Sequence, residues 1–227
     1  MNYFFILISV LFLSSKPKDN FQKKVEIGLT SLLFELDSLV REKCRGESCV
    51  RIRLVWPVAN GGEVANSINN HIRETVRNLM KYGEEESMDL EAGAEVSLEE
   101  YLSFKSEFSE SAGDWEIQVE GEVVYSSDQT LSIQFIQYTY LGGAHPNSGV
   151  YFLNLNPYEG KVLEKNQLIL KETELLKLTE EKFRAFHEVA EGTSLEEDGR
   201  FFLPDTGFFL ANAMGFEEDK FKIIYIP

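Results

Sequence analysis

From Trp115 to Leu155 the sequence alternates apolar and polar residues in three consecutive stretches joined by turn signals. Trp115, Ile117, Val119, Gly121, Val123 and Tyr125 fall on one face of the first stretch. Ser126-Ser127-Asp128 supplies a hairpin turn, and Leu131, Ile133 and Phe135 share a face of the second. The apolar set then moves to Ile136, Tyr138 and Tyr140, a one-residue change of phase that predicts a β-bulge. Residues 150–155 form the third stretch, and Asn156-Pro157-Tyr158-Glu159-Gly160 turns the chain again. Period two with tight turns dictates an antiparallel meander, because parallel neighbours need a long crossover.

Upstream, Val50, Ile52, Leu54 and Trp56 alternate with Arg51, Arg53 and Val55, a half-buried strand that Pro57 is expected to end. Residues 16–24 read as an N-terminal arm, and 28–43 show no clean period. Val64, Ile68, Ile72, Val76, Leu79 and Met80 predict a helix over 63–82, stopped by Gly83. The acidic stretch from Glu84 reads as a solvated loop. Ser97-Leu98-Glu99-Glu100 matches a capping box and is expected to open a second helix. That helix buries Leu98, Tyr101, Leu102 and Phe108 and breaks at Ser111-Ala112-Gly113.

A third helix is predicted over 172–191, burying Leu175, Leu178, Phe183, Phe186 and Val189. A hairpin over 207–227 turns at Glu217-Glu218-Asp219-Lys220. The order predicts an α+β fold, a mainly antiparallel sheet packed with three helices.

The formal net charge is −16, which argues against nucleic acid and suits a cationic partner. Residues 3–13 form one apolar run, too short for a membrane-spanning helix of about 20 residues but of the length of a signal-peptide core. Residues 1–15 are therefore read as a signal peptide or N-terminal anchor, and any membrane attachment runs through that segment if it stays uncleaved. An extracytoplasmic location, periplasmic or secreted, follows. In that compartment Cys44 and Cys49 read as a disulfide closing a short loop, worth about 2 kcal/mol. No further Cys or His stands near them, so neither zinc nor another metal is expected there.

Tyr138-Thr139-Tyr140-Leu141-Gly142-Gly143-Ala144-His145-Pro146 joins two strands through a Gly-Gly corner. Glycine permits positive φ or close backbone approach, and Pro146 holds His145 extended. As a catalytic base His145 would need a nucleophile and an orienting carboxylate. Ser148 is near, but no Gly-x-Ser-x-Gly elbow, HExxH motif or His–Asp cluster is present. His71 and His187 lie within predicted helices and read as surface or core-edge residues. The chain is therefore read as a non-enzyme without cofactor. Tyr138, Tyr140, Gly142, Gly143, Ala144, His145 and Pro146 are the candidate binding residues. His145 bonding the backbone across the corner is the structural alternative.

The run from Tyr138 to Pro146, with Tyr151-Phe152-Leu153-Asn154-Leu155 and Gly160-Lys161-x-Leu163, resembles the DUF3298 family. That family includes the C-terminal part of RsiV-type anti-sigma factors and a segment of PdaC-type peptidoglycan deacetylases. The part with Cys44, Cys49, the strand from Val50 and the helix from Val64 looks like the DUF4163 region that precedes it. The resemblance divides the chain into a DUF4163-like region over 16–110 and a DUF3298-like region over 111–227. It implies a further strand beyond Pro227, so a chain truncated there would lose an edge strand. It also implies an extracytoplasmic binding or sensing domain whose partner is a cationic protein such as lysozyme. The alternative is a peptidoglycan- or carbohydrate-binding accessory domain without its own catalytic activity, using Tyr138, Tyr140 and Trp115 as a platform.

Overall fold

The computed structural model describes residues 22–27, 30–80, 89–108 and 113–226. The apolar run at 3–13, most of the N-terminal arm, Gly83 with Glu84–Glu86, and Ser111-Ala112 lie outside them. Six strands form one sheet in the order β1 (Gln22–Ile27), β2 (Thr30–Arg45), β3 (Ser48–Asn60), β4 (Trp115–Ser126), β5 (Leu131–Leu141) and β6 (Asn147–Leu155). Every neighbouring pair is antiparallel except β3 and β4, which run parallel. The class is α+β with a mainly antiparallel sheet, as the alternation predicts.

The crossover between β3 and β4 carries α1 (Gly62–Met80) and α2 (Leu90–Glu107). Both pack on one face of the sheet. Ile68, Ile72 and Val76 of α1 are fully buried against Val50, Ile52, Leu54, Ile117, Val119, Ile133 and Phe135. Each such side chain contributes about 1.5–3 kcal/mol. Helix α2 starts earlier than expected. Asp89 caps it, its Oδ1 accepting from the Ala92 N–H at 2.7 Å, and Ser97 sits mid-helix with its hydroxyl donating to the Gly93 carbonyl. The acidic residues from Asp89 onward are therefore the first turns of a helix. The capping-box reading is corrected, because an N-cap needs extended backbone and Ser97 has helical neighbours on both sides. Phe108 is exposed, not buried.

Residues 28–43 show no clean period, yet residues 30–45 form the long strand β2. Strand β3 also runs on through Pro57 to Asn60. The Ala59 N–H and carbonyl point away from β2 to the side chain of Asn69. Pro57 has the same parity, so its missing N–H faces away from β2 as well. On that side the ladder to β4 has already stopped at Val55–Glu120.

The expected bulge in β5 is not there: its register is regular. The irregularity lies in β4, between Val123 and Tyr125. It turns Tyr125 onto the opposite face from Val123, where its ring stacks on Phe216 at 5.1 Å. Ile136, Tyr138 and Tyr140 simply occupy the second face of a straight strand.

After β6 come α3 (Lys165–Leu168), α4 (Glu172–Phe186), α5 (Leu195–Asp198) and the hairpin β7 (Met214–Glu217), β8 (Lys220–Ile223). The hairpin lies across one end of the face opposite α1 and α2. A chain of polar contacts holds it: Ser132 Oγ donates to Asn154 Oδ1 at 2.7 Å, and Asn154 Nδ2 donates to the Met214 carbonyl at 2.9 Å. The Phe216 N–H donates to Ser132 Oγ at 3.2 Å. Helix α4 is shorter than expected and has no fully buried residue; Leu178 and Phe186 are 48% and 79% exposed. Only one of its faces rests on the small cluster of Ile169, Leu210 and Met214.

Candidate functional site

The face of the sheet that α1 and α2 leave uncovered is the candidate site. Register defines its rows. Ser38, Val55, Glu120, Ile136 and Val150 line up across five strands. Beside them run Val40, Arg53, Gln118, Tyr138 and Ser148, and then Glu42, Arg51, Glu116 and Tyr140. Arg51 pairs with Glu42, and Arg53 pairs with Glu120. Gln118 Nε2 donates to Glu116 Oε1 at 2.7 Å.

Toward β1 this face curls inward. Phe34 and Ala59 share it, yet each is almost wholly buried, and the backbone of β1 returns to meet β4. The result is an open trough of about 410 Å³ whose lining includes Leu36, Val55, Pro57 and Ile136 with Glu35, Arg53, Glu120 and Glu122. Leu36 and Ile136 are about half exposed. The three carboxylates outnumber the single guanidinium. Apolar floor and acidic rim together suit a cationic surface with some apolar area. None of these residues is among the candidate binding residues read from the sequence. The signal was present: Leu36 and Ile136 are apolar on the face opposite the core.

Tyr138 and Tyr140 are half-buried on the same face, next to the trough. Trp115 is not with them. It lies on the other face, 6% exposed, edge-on to Tyr101 at 5.3 Å and tilted against Phe104 at 5.3 Å. The three-ring platform therefore does not form: Trp115 has the parity of Ile117 and Val119, the core residues.

The corner leaves the sheet at the end of these rows. Gly142 has φ 74°, and Gly143 does not have positive φ. Gly143, Ala144, His145 and Pro146 are exposed. His145 Nδ1 lies 3.3 Å from the Pro146 carbonyl. The Cys44–Cys49 disulfide closes the β2–β3 hairpin at the same end, and the Cys49 N–H donates to Asp114 at 2.9 Å. The structure thus gathers the corner and the disulfide at one end of the sheet, with the trough toward the other. His71 lies 3.9 Å from Glu74 on the surface of α1, and His187 caps α4 among Phe183, Phe186 and Phe201. Among the described residues, Glu42, Cys44 and Cys49 form the one group with metal-ligand spacing, and both sulfurs there are tied in the disulfide.

Residues 44–148 match the family model described as Deacetylase PdaC. No curated protein matches the chain. Among solved structures, a DUF3298 family protein from Pseudomonas aeruginosa PAO1 superposes with a TM-score of 0.53 at 16% identity, over 79% of this chain and 77% of that one. A DUF3298 member from Bacteroides fragilis NCTC 9343 superposes with a TM-score of 0.54 at 15% identity, over 73% of each chain. The resemblance read from Tyr138–Pro146 to this family is thereby borne out.

Proposed function

Taking residues 44–148 as a PdaC-type region on the DUF3298 fold, we propose that the chain is an exported binding or sensing domain of the cell envelope that captures a cationic protein, with lysozyme as the type of partner. The observation that carries this is the acidic trough on the open face, where Glu35, Glu120 and Glu122 surround Leu36, Val55 and Ile136. A chain of net charge −16 steers a basic partner toward itself, and the trough adds apolar area to hold it. The disulfide favours an oxidising compartment. The reading is non-catalytic: His145 is exposed and turned to its neighbour's carbonyl, not to a nucleophile.

Calorimetry with a lysozyme at low and moderate salt tests the proposal. Binding heat that weakens with salt is expected; no heat at either salt from folded protein overturns it. The match to a deacetylase family supports a second reading, peptidoglycan recognition by an accessory domain. Retention on purified sacculi that is insensitive to salt would favour that reading over the first.

A further inference from the structure

The helices α1 and α2 and the strands beneath them leave an open cleft of about 430 Å³, apart from the trough. Asp37 and Trp56, register partners on β2 and β3, line it from the sheet. Asn70, Arg73, Glu74 and Arg77 lie along one stripe of α1 and form one wall. The first residues of α2, with the cap Asp89, form another.

Two observations point to a ligand. Trp56 is 5% exposed, and its buried indole Nε1 has no acceptor among the described residues. A buried donor left unpaired costs stability, and a bound acceptor would satisfy it.

The second observation is charge of both signs held apart. Arg73 and Arg77 stand one helical turn apart, and Arg77 is half-buried. Like charges at that spacing destabilise a helix unless an anion joins them. The carboxylates of Asp37, Glu74, Asp89 and Glu91 line the same cleft, yet among the described residues no ion pair links them to either arginine. Asp37 accepts from the Ser38 N–H and Asp89 from the Ala92 N–H, and Glu74 lies 3.9 Å from His71.

Opposite charges that line one cleft without meeting fit a molecule that carries both. We propose that this cleft binds a small zwitterionic ligand, an α-amino acid or a peptide of two or three residues. Its carboxylate is held by Arg73 and Arg77, whose planar guanidinium groups suit a carboxylate. Its ammonium group meets the carboxylates of Asp37 on the sheet and Glu91 on α2. A carbonyl or carboxylate oxygen of the ligand accepts from the Trp56 indole N–H. The volume falls within the roughly 300–1,000 Å³ of small-ligand sites.

Titration of the whole chain, labelled with nitrogen-15, tests this. The probes are glycine, L-Ala-L-Ala, D-Ala-D-Ala and the N-acetylated and C-amidated forms of the two dipeptides. The chain has 2 tryptophans, so the indole signals are readily told apart. The Trp56 indole N–H resonance should move downfield with at least one zwitterion while that of Trp115 stays in place. Acetylation or amidation removes one charge and should weaken binding at least about tenfold. Arg77→Gln keeps a helix former of similar reach and should weaken the zwitterion by a like factor with an unchanged melting curve. Among the bound probes, the free amino acid, the L,L and the D,D dipeptide separate a metabolite, a protein terminus and a cell-wall peptide as the source. No shift of the Trp56 resonance with any zwitterion at millimolar concentration overturns the proposal. Equal affinity for blocked and unblocked forms overturns it too, as does binding that survives Arg73→Gln and Arg77→Gln together.

Discussion

Asn69 completes Ala59: its Oδ1 accepts from the Ala59 N–H at 2.7 Å and its Nδ2 donates to the Ala59 carbonyl at 2.8 Å. One side chain of α1 thus stands in for the strand that β3 lacks beyond the end of the β4 ladder. Asn69→Ala leaves two partly buried backbone groups unsatisfied and is expected to cost about 2–3 kcal/mol. Asn69→Asp keeps the acceptor and sets a carboxylate against the carbonyl, so it should be no better. Thermal unfolding followed by circular dichroism checks both, with a drop of several degrees expected.

The two corner glycines should respond differently. Gly142 has φ 74°, a region costly for residues with a Cβ, whereas Gly143 has ordinary φ and open space where a Cβ would sit. Gly142→Val should cost more than about 1 kcal/mol and Gly143→Val should be close to neutral. Urea midpoints of the two variants decide it; equal midpoints would mean that the corner relaxes.

Gly215 of β7 lies against Phe152 and Asn154, where an added Cβ would collide with the Phe152 ring. Gly215→Ala should lift the hairpin from the sheet and cost about 1–3 kcal/mol. Faster amide exchange at Phe216, whose N–H donates to Ser132, would report the loosening. Unchanged protection at that amide would contradict the docking role.

The α5 turn should be acid-sensitive. The Ser194 backbone N–H and hydroxyl hold the Glu197 carboxyl below its ordinary range, and Arg200 does the same for Asp198. Folded values below the unfolded ones mean that this stabilisation is complete above about pH 5, and is lost as pH falls through the unfolded and then the depressed values. Glu197→Gln should remove part of that dependence. The Ser194 amide resonance followed from pH 6 to 2 is the readout.

On the open face, Glu122→Lys with Glu35→Lys should weaken lysozyme binding about tenfold, from ~0.5–1 kcal/mol per rim charge. The slope of affinity against salt should flatten with it. Unchanged affinity would move the contact off the trough.

What could be read ahead of the structure was whatever kept one period. Residues 50–56 and most of 115–123 and 131–135 alternate because one face lies under α1 and α2, and the strands followed. Strand β2 escaped because it changes faces. Leu39 is buried under the helices, while Phe34, of opposite parity, is buried where the other face curls inward. That pattern has no single period, yet the element is a strand. The Tyr138–Pro146 segment pointed to the family. The acidic trough did not show, because its carboxylates come from β2 and β4 and meet only through the β3–β4 register. The Ser132–Asn154–Met214 chain is likewise a product of distant segments.

The parallel ladder between β3 and β4 also governs how such a chain reaches its native state. The β1–β2–β3 and β4–β5–β6 units are each built from local hairpins, which close within microseconds. Val50 can meet Trp115 only after the whole α1–α2 crossover has been ordered. Loop-closure entropy is spent there before any contact repays it, so the joining of the two hairpin units should be the slow step and the seat of the folding barrier. The same junction would be the natural seam for sub-global opening, with each half exchanging its amides as a unit of its own.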